Sequence, residues 1–131
     1  MYMSIHICLD MQNSTAFFAA LADDNRLRLL HLLKDGETCV CYLQEVLQTN
    51  QPRISRHLAY LKRAGLVEAR REGKWMHYRL KKLEPGLQSV LSETLRHLQK
   101  DPQIKKDGRR LGQICCQPSR YGISPLKKTA C

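Results

Sequence analysis

Two places in the chain gather thiols at short spacing: Cys39 and Cys41 in "ETCVCYL", and Cys115 and Cys116 in "GQICCQPS". Thiolate sulfur is the donor that soft ions prefer, so either pair could hold one. With Cys8 and Cys131 the cysteines number six. An even count would suggest a disulfide framework in a secreted mini-protein. In a mid-sized chain whose opening "MYMSIHICLDMQ" lacks a basic n-region and a small-residue cleavage site, C-x-C and adjacent cysteines read as metal or redox chemistry in a reducing, cytoplasmic setting. On a regular helix, residues i and i+2 lie about 200° apart around the axis. Cys39 and Cys41 therefore share one small ion only if the helix start is irregular or unwinds. The plainer reading makes both of them small buried hydrophobes. Cys115 and Cys116 are either incidental thiols of a tail or ligands, as a separate site or as a third donor reaching the first pair.

A second group of side chains suits nucleic acid. In "QPRISRH", Gln51, Arg53, Ser55, Arg56 and His57 crowd the start of a helix, where they can meet base edges or phosphates. Arginine donates bidentately to guanine and glutamine pairs with adenine. Arg70, Arg71 and Lys74 flank the tight turn "REGK". The formal charge of the chain is +10, and it is unevenly placed. Residues 1–52 carry three basic and six acidic side chains, whereas residues 53–82 carry ten basic and two acidic. A basic segment after an acidic one is the footprint of a polyanion-binding surface. A merely solvated cationic surface would spread its charge.

The elements that must position these groups follow from periodicity. "NSTAFFAAL" predicts a helix from about Ser14 to Leu21, capped by Asn13 or Ser14. "DDNRLRLLHLL" restarts with Leu27, Leu30 and Leu33 on one face and closes at Asp35–Gly36. "ETCVCYLQEVL" is a short amphipathic helix, "QTN" a turn, and "QPRISRHLAYLKRAG" a second helix with Pro52 in its first turn and Gly65 at its end. Helix, short turn and basic helix make a helix-turn-helix. "LVEARREGKWMHYRL" alternates as a β-hairpin about Gly73, a wing that Trp75 packs onto the body of the domain. "EPGLQSVLSETLRHLQK" is a helix with Leu87, Leu91, Leu95 and Leu98 in a stripe. The expected fold class is α+β, mostly α. The layout is a flexible N-terminus over 1–12, a folded unit over 13–99, and a basic, cysteine-containing mobile tail over 100–131.

Residues 37–80 closely resemble the ArsR (ArsR/SmtB) family of bacterial metal-responsive repressors, above all its arsenite-responsive branch. That branch places a C-V-C-(D)-L motif before an S/N-Q-P-x-[IV]-S-R-H-L recognition helix. The layout agrees over about 14–98. The resemblance implies a winged helix-turn-helix homodimer whose first and last helices form the dimer interface. It implies release of double-stranded operator DNA when As(III) or Sb(III) binds cysteine thiolates. Tyr42 stands where the family has aspartate, and Gln44 where a third cysteine is often found, so the helix pair offers two thiolates. Some members bind the metalloid through cysteines near the C-terminus, which Cys115 and Cys116 could supply.

Two alternatives keep DNA binding and change the signal, to thiol oxidation or to another soft ion such as Cd(II). An enzyme is not expected: there is no C-x-x-C beside a βαβ unit, no phosphate-cradling glycine loop and no activated nucleophile. Glu93 and His97 are the only i, i+4 acid–histidine pair on the last predicted helix, with His97 read as a solvated or packed histidine, His31 as a packing residue and His57 as DNA-facing. No stretch is long and apolar enough to span a membrane.

Overall fold

The computed structural model describes residues 4–123, and side chains from Met11 onward. Cys8 and Cys131, as thiols, lie outside those described residues. Six helices and a small sheet follow in the order α1 (Ser4–Leu21), α2 (Asp24–Leu32), β1 (Thr38–Cys39), α3 (Val40–Leu47), α4 (Gln51–Arg63), β2 (Val67–Glu72), β3 (Trp75–Leu80), α5 (Pro85–Leu98) and α6 (Pro102–Cys116), with a 3-10 turn at Pro118–Tyr121. The sheet is antiparallel in the order β1-β3-β2. This is a winged helix-turn-helix, with α3 and α4 as the helix pair and β2–β3 as the wing.

The local chemistry sets these boundaries. Asp23 caps α2 by accepting the Arg26 N–H at 3.0 Å, and Asn50 caps α4 by accepting the Arg53 N–H at 3.0 Å. Such caps stabilise a helix by about 1 kcal/mol. Gly65 takes φ +81°, and the chain leaves α4 through two bonds, Gly65 N–H to Lys62 O and Leu66 N–H to Leu61 O, both 3.0 Å. That Schellman end sends Leu66 back onto Leu61 and starts the wing at once. The core gathers Leu29 and Leu30 of α2 and its C-cap Leu33 with Leu43, Ile54, Leu58, Leu61 and Leu66, closed by Phe17 from α1 and Leu91 from α5.

Three expectations are corrected. The first helix begins at Ser4, ahead of the expected start near Ser14 and within the segment 1–12 expected to be flexible. Cys39 lies in a strand, β1, so that "ETCVCYLQEVL" is strand and then helix. The segment after Lys100, expected to be a mobile tail, is helical from Pro102 to Cys116 and packs on α3 and α2. Asp101 caps that helix by accepting the N–H groups of Gln103 and Ile104 at 2.8 and 3.2 Å. Ile104 and Ile114 are buried, and so is Asp107, only 2% exposed. Arg28 grips Asp107 bidentately at 2.8 and 2.9 Å, and Gln103 donates to it at 2.9 Å. A carboxylate on the core-facing stripe hid the helical pattern, and its arginine lies 79 residues away in the sequence.

Candidate cysteine centre and nucleic-acid surface

Cys39 is the N-cap residue of α3, with extended backbone at φ −70°, ψ 143°. The i, i+2 argument applies only inside a helix, and here one thiol comes from a strand and the other from a first helical turn. The two Sγ atoms lie 2.9 Å apart. Cys39 is fully buried and Cys41 half-buried. The Cys41 thiol, donating to the Cys39 sulfur, lowers the Cys39 pKa to about 7, helped by the backbone N–H groups of the helix start against the opposing effect of burial. Cys41 itself is pushed strongly upward, because it supplies that hydrogen bond and is desolvated. The pair is thus poised as one thiolate and one thiol near neutral pH. Among the described residues no third histidine, cysteine or acid joins it closely enough to enclose an ion.

The second pair behaves otherwise. Cys115 is half-buried against the core and disulfide-bonded, while Cys116 is exposed with a free thiol. Both stand at the C-terminal end of α6.

The nucleic-acid residues also divide. Gln51, Arg53, Ser55 and Arg56 all face solvent on the first turns of α4. His57 is half-buried with Nδ1 3.7 Å from Asp23 Oδ2, so it faces the cap of α2 and not solvent. Arg70 is bound to Glu37 through contacts of 2.6, 3.0 and 3.2 Å, while Arg71 and Lys74 are exposed at the hairpin tip, Lys74 over the Trp75 ring at 5.4 Å. Arg26 stacks on Tyr60 of α4 at 4.0 Å while donating to the carbonyls of Ala19 and Ala20, tying α4 to the end of α1. Glu93 and His97 are exposed on α5, and no helix among the described residues is long and apolar enough to cross a membrane.

Sequence reasoning passed over Glu37 and β1. Cys39 pairs with His77 and Thr38 with Tyr78, so the cysteine segment is an edge strand of the wing sheet. Glu37 lies just before β1, two residues ahead of Cys39, and its carboxylate, hydrogen-bonded by Arg70, is held below its ordinary pKa. The signal was an acid two residues before the first cysteine and an arginine in the hairpin.

Residues 23–69, from the cap of α2 into β2, match the family described as "Bacterial regulatory protein, arsR family". An arsenic resistance transcriptional regulator of Pseudomonas putida is 52% identical over 64 residues, 48% of this chain and 50% of that protein. The chain therefore spans about half the length of that relative. A second arsenic resistance transcriptional regulator of the same organism is 44% identical over 109 residues, 81% of this chain and 92% of its own. The homodimeric winged helix-turn-helix DNA-binding domain of a possible ArsR-family regulator from Mycobacterium bovis superposes with a TM-score of 0.58 at 31% identity, covering 78% of this chain and 94% of that one. The family match runs through the cysteine strand and the exposed helix α4, and the second Pseudomonas regulator is matched over most of both chains: the chain belongs to the arsR family of bacterial regulatory proteins.

Proposed function

We propose that the chain is a homodimeric repressor that holds double-stranded operator DNA and leaves it when As(III) or Sb(III) is held by Cys39 and Cys41. The observation that carries this reading is the 2.9 Å approach of the two sulfurs at the joint between wing and helix-turn-helix. Gln51, Arg53, Ser55 and Arg56 on α4 enter the major groove, and Arg71 and Lys74 meet the backbone or minor groove from the wing tip. His57 and Arg70 act here as positioning residues, through Asp23 and Glu37. The half-exposed Phe18 of α1 and Val90 of α5 support dimerisation through those helices. The names of the arsenic-resistance relatives support the choice of inducer.

Two converging thiolates suit a soft, thiophilic ion, which supplies strong bonds to sulfur. Sulfurs bound to one ion at about 2.3 Å each stand well over 3 Å apart. Cys39 and Cys41 must therefore spread, and one of them is fixed in the wing sheet while the other is fixed in the first helix of the DNA-reading pair. Spreading them changes the angle between the two surfaces that grip DNA. The coupling is reciprocal, so bound DNA weakens the inducer's affinity.

The test is release of a duplex carrying the promoter upstream of the chain's own gene, by arsenite under strict reductant. Cys39→Ser/Cys41→Ser should stay bound, and Cys115→Ser/Cys116→Ser should release as the parent does. If the two results exchange, the C-terminal pair is the inducer site. A second reading, release by thiol oxidation, is favoured by the same sulfur proximity. It requires that arsenite fail under reductant while an oxidant succeeds.

A further inference from the structure

His77 lies at the centre of the wing sheet, 1% exposed, and neither ring nitrogen has a hydrogen-bond partner. Buried polar atoms are nearly always hydrogen-bonded, and an imidazole desolvated without a partner is destabilising unless something else engages it. Its position is informative. His77 is the residue directly opposite Cys39 in the β1–β3 ladder. Facing residues of an antiparallel pair project from the same face, with Cβ atoms about 5 Å apart. The histidine's Nε2 is also 3.3 Å from Glu72 Oε1, close enough for charge though not aligned as a hydrogen bond. A carboxylate beside one imidazole nitrogen is the arrangement that fixes the tautomer of a metal-bound histidine, with the other nitrogen as the donor.

We propose that His77 is the third donor of the Cys39–Cys41 centre, through Nδ1, with Glu72 orienting the ring. The inference rests on the reading of Cys39 and Cys41 as an ion site. It adds a nitrogen to two sulfurs, a set that takes soft to borderline divalent cations with solvent completing the shell. Binding of a divalent ion displaces to solvent the proton of the Cys41 thiol, and that of Cys39 wherever it is still a thiol, and the imidazole contributes a nitrogen lone pair. As the side chains stand, the three donors do not enclose an ion. The thiol contact of 2.9 Å must open, and turning the Cys39 sulfur from Cys41 toward the facing histidine is the motion that opens it. The orphaned ring nitrogens and the opened thiol pair are then satisfied together.

The probe is Cd(II) alone, added to the reduced full chain and to its His77→Gln and Cys39→Ser/Cys41→Ser variants. Affinity is read from sulfur-to-metal charge-transfer absorbance against a competing chelator, and the donor set from X-ray absorption at the cadmium edge. The parent should show two sulfurs with the outer-shell scattering of one imidazole. His77→Gln should lose that scattering and bind at least tenfold more weakly. A parent spectrum without imidazole scattering overturns the role of His77, whether or not the variant folds. Unchanged affinity in a His77→Gln chain that still binds DNA overturns it as well. Parent-like Cd(II) binding by the double cysteine variant instead overturns the cysteine reading on which the inference stands.

Discussion

The two cysteine pairs of this chain invert what their spacing suggests. Cys115 and Cys116 are adjacent in sequence, yet they end a helix on which neighbours diverge by about 100°, and one is half-buried while the other faces solvent. Cys39 and Cys41 are separated by Val40, and the backbone brings their sulfurs to 2.9 Å because the chain changes from strand to helix between them. Convergence is decided by what the backbone does across the intervening residue. The first pair also joins two elements, the wing strand β1 and the helix α3, whereas the second is carried by a single helix end.

The largest effect that would sharpen this contrast is on inducer affinity. Cys39→Ser should weaken arsenite binding at least a hundredfold, whereas Cys116→Ser should change it less than twofold, as measured by fluorescence of the wing's Trp75. Equal losses would erase the distinction between the pairs. Next is stability. Asp107→Ala leaves Arg28 without its buried partner and should cost about 3 kcal/mol in urea unfolding. Arsenite affinity should hold in that variant while it remains folded; loss of both together would make α6 part of the inducer site.

A smaller effect concerns protons. Because the folded Cys39 pKa is lowered to about 7, the unfolded chain binds more protons between that value and the ordinary thiol range, and stability should rise with pH across that window. Above the ordinary thiol pKa the raised Cys41 reverses the sign, since the unfolded chain loses a proton that the folded one keeps. A thiolate absorbance titration should find one thiolate near pH 7, and Cys41→Ala should move it upward. An unmoved midpoint would show that the helix start alone sets it. The smallest effect is at the wing anchor. Glu37→Gln breaks an exposed, solvent-screened ion pair with Arg70 and should move the urea midpoint far less than Asp107→Ala does.

Much of this was legible in the residues. The leucines of α2, the cap and proline of α4, and the turn at Gly73 follow local rules, and the helix-turn-helix and wing fall where those rules put them. The exposure of Gln51, Arg53, Ser55 and Arg56 on α4 was equally readable, because solvent-facing positions follow from the buried stripe of Ile54, Leu58 and Leu61. What escaped was non-local. β1 is two residues long, too short for an alternation to register, and exists only because β3 offers a partner. The helical character of 102–116 was masked by Asp107, whose burial makes sense only beside Arg28. Arg70 and His57 look unpaired in the sequence, and the acids beside them, Glu37 and Asp23, come from other parts of the chain.

The shortness of β1 has a consequence in time rather than in space. A two-residue edge strand is held to its sheet by few backbone hydrogen bonds, and such segments open locally at a free-energy cost far below that of global unfolding. The cysteine strand should therefore detach from the wing many times in the lifetime of one folded molecule, and its amides should exchange with deuterium before those of β2 and β3. Buried Cys39 is then accessible in bursts, and under the function proposed for it the rate of arsenite capture is set by how often that seam opens, not by how fast the ion diffuses to it.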